Sequence, residues 1–178
     1  MKSLNSMITF SLVFCLVFCF YFCQKTEMVT EAFEAQFTGT YMYFGPDTVL
    51  TPKCADSEMT YRIIVDCIGT SNVMGDIDAH FDFCANEQGD YGNLYGFFTD
   101  QDGDTLFLSS EGMTGKVING RLEEHPDFVT SYWRDEFVFS GGTGKYEGAT
   151  GKGMGDDYNS SEDPNSHHNW KGTITLKK

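Results

Sequence analysis

The chain is poor in basic residues, in proline and, beyond its N-terminus, in long apolar runs. It has 12 Lys and Arg residues against 26 Asp and Glu residues, so its formal net charge is −14. Such an acidic surface repels nucleic acid and anionic lipid headgroups, which excludes both as direct partners of the folded domain. No segment after the N-terminal run keeps helical apolar spacing over several turns, which excludes a helical bundle.

Glycine and aromatic residues are abundant instead. The chain has 19 Gly, 16 Phe and 9 Tyr but only 4 Pro, a composition typical of an all-β domain with tight turns. Residues 76–84 (DIDAHFDFC) alternate apolar and polar side chains, as a half-buried antiparallel strand does. Strands are predicted at residues 36–44, 58–68, 76–84, 91–99, 105–110, 128–140, 145–158 and 169–176. About eight strands can close into a barrel that is filled by side chains or holds one small ligand. We therefore expect one all-β domain, a closed or nearly closed antiparallel β-barrel, over residues 35–178.

The N-terminus is predicted to be a targeting segment. An apolar run at residues 7–22 follows Lys2 and ends at Cys23, which suits a signal peptide over residues 1–23 and a polar tether over residues 24–34. Cys23 followed by polar residues resembles a lipoprotein signal, although Phe22 stands where a small residue is expected. Export therefore leaves three alternatives open: a lipid on Cys23, ordinary secretion and an uncleaved anchor. A lipid on Cys23 would place the protein in the cell envelope or at the outer membrane, with membrane contact only through that lipid. Ordinary secretion would make the protein periplasmic or extracellular.

The cysteines lack the spacing of a zinc site. No pair shows CxxC spacing, and three cysteines remain in the domain: Cys54, Cys67 and Cys84. In an exported protein, one disulfide and one buried thiol are the simplest outcome. Cys54 precedes one predicted strand and Cys84 ends the next, so we expect these two to pair and Cys67 to be the buried thiol.

The acidic residues raise a calcium alternative that the spacing does not favour. Asp100, Asp102 and Asp104 with Glu111 match several positions of an EF-hand loop, but Thr105 stands where glycine is required. A hairpin turn explains these residues more simply. The segment at residues 156–168 also combines carboxylates with two histidines, and we expect it to be a solvated surface loop because adjacent side chains on an extended chain point to opposite faces. We expect neither a metal nor a cofactor.

No catalytic residue can be assigned from the sequence. His80 with Asp78 and Asp82 could form an acid–base group, but these side chains share the polar face of a predicted strand, where a solvent-facing stripe is the favoured interpretation. Serine- or cysteine-based triads assemble from distant segments and leave no readable spacing here.

The segment at residues 140–153, SGGTGKYEGATGKG, contains the densest glycine of the chain. It lacks the spacing and the Ser or Thr of a Walker A loop, and no helical pattern follows it as a Rossmann fold requires. Glycine also permits the bulges and close backbone approaches that barrel corners need. We interpret the segment as such a corner, anchored by Tyr146 and formed by Gly141, Gly142, Gly144, Gly148 and Gly151.

The pattern FxGGTGxYxGATGxG, from Phe139 to Gly153, resembles the signature of small exported barrels related to the allene oxide cyclase and dirigent group. GTSNVMG at residues 69–75 and DGDTLF at residues 102–107 resemble further segments of these barrels. The resemblance implies an eight-stranded calycin-like barrel. It leaves function open, since the group includes both enzymes and guiding proteins, and no catalytic position of theirs can be matched here.

We expect a binding or structural role, with a small apolar ligand or a protein partner. The alternative is a cyclase- or isomerase-type enzyme that uses a polar group inside the barrel, with Arg62, Asp135 and Glu136 as candidates. The oligomeric state stays open.

Overall fold

The computed structural model describes residues 27–48, 52–54, 58–108 and 114–178, and these residues form an all-β domain without an α-helix. No helix in this part of the chain has the length and apolarity needed to cross a membrane. The predicted signal segment and Cys23 lie outside the described residues. The strands are β1 (Met28–Pro46), β2 (Tyr61–Ser71), β3 (Gly75–Ala85), β4 (Asp90–Asp100), β5 (Thr105–Leu108), β6 (Gly115–Lys116), β7 (Ile118–Asn119), β8 (Val129–Trp133), β9 (Glu136–Gly142), β10 (Thr150–Ser160) and β11 (Ser166–Lys177).

Eight of these strands close into an antiparallel barrel, which confirms the predicted fold. Neighbouring strands follow the order β1, β2, β3, β4, β5, β9, β10 and β11, and β11 pairs back with β1. The short strands lie at the margin, where β6 pairs with β4 and β8 joins β10 to β7. Because closure pairs the edges of the sheet with each other, the barrel leaves no long free edge.

The first strand is longer than predicted. β1 begins at Met28, so residues 28–34 belong to the barrel and the prediction of a tether there is wrong. Phe33, Ala35 and Phe37 alternate into the interior, and Phe33 is 0% exposed. Polar residues between them face outward, which made the segment resemble a linker.

The second half of the chain also departs from the predicted boundaries. The predicted strand at 128–140 is divided into β8 and β9 by Arg134 and Asp135, and both strands pair with β10. The predicted surface loop at 156–168 is wrong for most of its length, because β10 and β11 continue through it as a hairpin. Asp157 and His168 are paired across this hairpin and are both buried.

The glycine-rich segment turns the chain between β9 and β10. Gly144–Tyr146 form a single turn of 3₁₀ helix, and Gly141, Gly144 and Gly148 have positive φ values of 117°, 52° and 71°. Gly142 has a different role, since a Cβ there would lie 2.1 Å from the backbone oxygen of Thr105 on β5. The segment therefore has the geometry of a barrel corner, in which glycine permits both the turn and the close approach.

Tyr146 anchors this corner to the β4–β5 hairpin. Its hydroxyl donates a 2.9 Å hydrogen bond to Asp100 Oδ2, and Lys145 Nζ lies 2.8 Å from the same oxygen. Asp100 Oδ1 accepts hydrogen bonds from the backbone amides of Asp102 and Asp104. Burial alone would raise the pKa of Asp100, but these hydrogen bonds outweigh it and hold the pKa below the usual range.

Large side chains fill the barrel at this corner end. Phe33 packs edge-on against Phe139 with ring centroids 4.8 Å apart, and Phe98 closes the cluster from β4. Leu106 and Ile174 complete it and are fully buried. Each such aromatic pair contributes roughly 0.5–1.5 kcal/mol beyond the burial of its surface area. Because these side chains are fully buried and in contact, this half of the barrel is a packed core. The opposite half of the barrel is less completely filled.

Candidate functional site

A cavity of about 500 Å³ lies in the end of the barrel opposite the glycine corner. Its walls come from the end of β1, the start of β2, the end of β3, the start of β4, and the β8–β9 and β10–β11 segments. Most lining side chains are aromatic or aliphatic: Tyr41, Phe44, Tyr61, Ile63, Val65, Phe81, Phe83, Ala85, Tyr91, Leu94, Val117, Trp133, Phe137 and Trp170.

An aromatic layer separates this cavity from the packed core. Phe137 and Trp170 are stacked with ring centroids 4.6 Å apart, and Phe81 lies 5.8 Å from the Trp170 ring. Beyond this layer the inward positions include Val65, Ala85 and Ser166 in place of large rings. These small residues leave interior volume unfilled at this end, and the rings of Phe83, Tyr91 and Trp133 border that volume.

A chain of three buried polar side chains forms part of the cavity wall. Asp157 on β10 lies beside His168 on β11, with Oδ1 and Nδ1 3.1 Å apart, although the ring nitrogen is not aligned for a hydrogen bond. His168 Nε2 is 2.8 Å from Ser166 Oγ, which also donates to the backbone oxygen of Gly39 at 3.3 Å. Trp170 Nε1 donates to both oxygens of Asp157.

Two glycines make room for this polar chain. A Cβ at Gly39 would lie 2.5 Å from Ser166 Oγ, and a Cβ at Gly155 would lie 2.9 Å from Asp157 Oδ2. Burial raises the pKa of Asp157, while His168 and Trp170 oppose that rise. The arrangement places a carboxyl group, an imidazole and a hydroxyl in sequence beside the cavity, and the imidazole and the hydroxyl share a hydrogen bond.

Asp135 is a second inward carboxylate, at the break between β8 and β9. It lines the cavity, and within the described ranges its side chain makes no hydrogen bond or ion pair. Burial and the nearby charge of Asp157 raise the pKa of Asp135 to about 6. The side chains of Asp135 and Tyr91 both lie next to Gly115. A Cβ added at Gly115 would be 2.5 Å from Asp135 Oδ1 and 2.4 Å from the Tyr91 hydroxyl oxygen. The Tyr91 hydroxyl is itself buried without a hydrogen-bond partner in the described part of the chain.

The structure separates the three candidates for an inward ionisable group. Asp135 lines the cavity. Glu136 borders the cavity, but its side chain is exposed, because it alternates with the buried Phe137 and is paired with the exposed Met154. Arg62 lies outside the cavity, because it pairs on the outer face with Asp82 through a 2.8 Å contact, next to Lys53.

The outward polar residues form ion pairs on the surface of the barrel. His80 Nδ1 lies 2.7 Å from Asp66 Oδ1 on the neighbouring strand. Asp156 binds Arg134, and His167 lies 2.9 Å from Asp163, so the two adjacent histidines do face opposite sides. The polar stripe around His80 has the character of a paired outer face.

The carboxylate of Asp100 in the acidic turn is already occupied by protein groups. Asp100 is occupied by Tyr146, Lys145 and two backbone amides, as described above. Glu111 of the calcium alternative lies outside the described residues. Where the chain is described, no group of three or more His, Cys, Asp or Glu side chains is arranged to hold a metal ion.

A disulfide joins Cys54 to Cys84 near the mouth of the cavity, with their Cα atoms 5.6 Å apart. Asn93 Nδ2 donates to the backbone oxygen of Lys53 and adds a second tie in this region. Cys67 is a buried free thiol inside the barrel, and burial raises its pKa. The pairing ties the segment before β2 to the end of β3.

The sequence interpretation missed Asp157, Ser166 and His168 as interior residues. The signal was present, because Ser166, His168 and Trp170 alternate with His167 and Asn169, as inward and outward residues of a strand do. This alternation was hard to recognise in the sequence because polar residues occupy both faces of the strand in this segment.

The chain matches no protein-family model, no curated protein and no solved structure at a significant level. The function must therefore be inferred from the cavity.

Proposed function

We propose that this protein binds a small, largely apolar molecule inside its barrel. The observation that carries the proposal is the aromatic cavity of about 500 Å³, a size in the range of small-molecule sites. A few polar groups on an otherwise apolar wall are also typical of such sites, because they orient the ligand. The resemblance to cyclase and dirigent barrels agrees with an interior site without identifying its ligand.

The expected affinity of a simple probe is weak. Burial of about 200 Å² of ligand apolar surface is worth on the order of 5 kcal/mol, and ring contacts add roughly 0.5–1.5 kcal/mol each. Association costs about 4 kcal/mol or more, which leaves a few kcal/mol. We therefore expect dissociation constants on the order of millimolar for a simple probe.

We also propose that the protein acts outside the cytosol. The apolar N-terminal run supports export, and the Cys54–Cys84 pairing suits an oxidising compartment. A lipid on Cys23 would hold the barrel at a membrane surface, and cleavage without a lipid would release it. In both forms the cavity works on molecules of the cell envelope or its surroundings.

Tryptophan fluorescence offers a direct test of binding. The chain has two tryptophans, Trp133 and Trp170, and both line the cavity. Titration with 4-phenylbutan-1-ol, a neutral probe that does not absorb at the tryptophan excitation edge, should change the emission and saturate. The Ala85→Phe variant should weaken this binding by about tenfold or more, because the added ring occupies the volume the probe needs.

Ala32→Phe is the matched control, because Ala32 is exposed on the outer face of β1. It should bind the probe as the parent protein does. Circular dichroism and thermal unfolding establish that both variants fold. A parent protein whose emission never saturates, or an Ala85→Phe variant that folds and binds equally well, would rule out the interior site.

A second candidate is catalysis of a proton-transfer rearrangement in the same cavity. The observation that favours it is the Asp157–His168–Ser166 chain, which could move a proton at the wall. The two functions differ in what they return: a binding protein releases its ligand unchanged, whereas an enzyme releases an isomer. Nuclear magnetic resonance of natural ligands recovered after incubation distinguishes them, with His168→Phe as the variant that should stop conversion.

A further inference from the structure

We propose that the cavity selects organic cations, such as the protonated form of a small aromatic or aliphatic amine. This inference rests on the proposed ligand-binding function and specifies the class of molecule that the site takes. Three features carry it: the signs of the charges around the cavity, the aromatic surfaces of its walls, and one carboxylate that has no partner among the described residues.

The charges at the cavity have one sign. Its lining includes the acidic residues Glu87, Asp135 and Asp157, and no Lys or Arg from the described part of the chain reaches it. The nearest arginine in sequence, Arg134, is turned to the outer face, where its guanidinium binds Asp156 at 2.6 Å. Only His168 could add a positive charge, and it lies against Asp157. An anionic ligand would therefore meet repulsion without a compensating cation.

The walls suit a cation as well as an apolar group. Tyr41, Tyr91, Trp133 and Trp170 line the cavity with Phe81. The faces of such rings carry partial negative charge and attract ammonium groups, most strongly where water is excluded. An amine with an apolar skeleton would satisfy both parts of this surface, because its skeleton packs on the rings and its charge faces carboxylates.

Asp135 is positioned to bind the ammonium group. It has no partner in the described chain, although it is partly buried in an aromatic wall. The titratable groups that face it from the described strands are Tyr91 of β4 and Asp157 of β10, and neither of them is cationic. A carboxylate in such surroundings gains more from a bound cation than one that already has a salt bridge.

The protonation of Asp135 adds a dependence on pH. Because its pKa is raised to about 6, the group is ionised in neutral solution and loses its charge on mild acidification. An amine should therefore bind less tightly as the pH falls through this value. A neutral ligand should change little, since its contacts do not involve the charge.

Three probes with one skeleton test the inference. They are 4-phenylbutylamine, 4-phenylbutan-1-ol and 4-phenylbutanoate, which end in a cation, a neutral hydroxyl and an anion. At neutral pH the amine should bind about tenfold or more tightly than the alcohol, as a charge-assisted contact implies, and the carboxylate should bind most weakly. Asp135→Asn should remove most of the difference between amine and alcohol by weakening amine binding.

Asp78→Asn is the matched control, because it removes the same charge from an exposed position on the outer face of β3. It should keep the amine preference. Equal binding of amine and alcohol to the parent protein overturns the cation inference and leaves the proposed function intact. An amine preference that survives Asp135→Asn overturns the assignment of Asp135, and failure of all three probes overturns the proposed function itself.

Discussion

Three inward aspartates differ in the partners that surround them. Asp100 is saturated by Tyr146, Lys145 and two backbone amides, and its side chain is only 2% exposed. Asp157 shares its carboxylate between Trp170 and His168. Asp135 has no partner within the described residues. A saturated buried carboxylate contributes to stability, whereas an unsatisfied one gains from a partner that comes from solution, which is the role we propose for Asp135.

The Tyr146→Phe variant tests the structural role of Asp100. It removes the 2.9 Å hydrogen bond to Asp100 and keeps the ring, so we expect the free energy of unfolding in urea to fall by roughly 1.5–3 kcal/mol, the range for a hydrogen bond to a charged group. The contribution should be present above the usual aspartate pKa and be lost as the pH falls through the lowered pKa of Asp100.

Tyr95→Phe is the control for that measurement, because Tyr95 is exposed and its hydroxyl has no hydrogen bond in the described structure. It should change stability by less than about 0.5 kcal/mol. A Tyr146→Phe protein as stable as the Tyr95→Phe protein at neutral pH would show that the corner does not depend on this hydrogen bond.

At the scale of elements, β10 and β11 serve both the barrel and its site. Gly153 and Gly172 are paired across these strands, and a Cβ at Gly153 would lie 2.2 Å from the backbone oxygen of Lys171 and 2.4 Å from Phe137 Cζ. Further along the same strands, Asp157 and His168 face the cavity. The close approach at the glycines fixes the spacing of the hairpin that carries the polar chain.

Gly153→Ala should therefore be costly. The added methyl group must displace backbone and a buried ring, so we expect thermal and urea unfolding to show a loss of about 2–3 kcal/mol, as overpacked cores do. Gly103→Ala provides the comparison, because Gly103 has a φ of 85° with open space around it and only the backbone conformation is strained. That variant should lose about 1 kcal/mol. Equal losses would contradict the role of close packing at Gly153.

The elements also show what the sequence could predict. Alternation located β2, β3 and β4 because apolar residues face inward and polar residues face outward in them. It failed for the β10–β11 hairpin, where Asp157, Ser166 and His168 reverse that rule because they form part of a cavity wall. The start of β1 was missed for a different reason, since Phe33 is the one buried residue of the segment 28–34 and a single inward side chain shows no alternation. The site was therefore least predictable where its residues contradict the pattern that identifies strands.

The glycine corner and the disulfide, in contrast, were features that the sequence could predict. Glycine spacing predicted a corner without long-range information, because turns depend on local backbone geometry. The position of Asp135 could not be predicted in this way. Its direction depends on the break between β8 and β9 and on how both strands pair with β10.

For the whole molecule, export and thiol state can be tested together by intact mass. The protein from its natural source should lack residues 1–22 or 1–23, and any acylated form should begin at Cys23. Alkylation in denaturant should modify one thiol, that of Cys67, and prior reduction should raise this to three by opening the Cys54–Cys84 bond. A mass that retains the apolar N-terminal run contradicts cleavage, and three modified thiols without reduction contradict the disulfide.

The two ends of the barrel should respond differently to a larger side chain. The packed end, with the glycine corner and the Phe33 cluster, supplies the interactions that hold the strands together, so substitutions there endanger folding. At the hollow end Ala85 and Asp135 border a cavity of about 500 Å³, so a larger side chain there has empty volume to enter. The barrel is therefore a scaffold on which an engineer can reshape the interior space at one end while the other end keeps the strands in place.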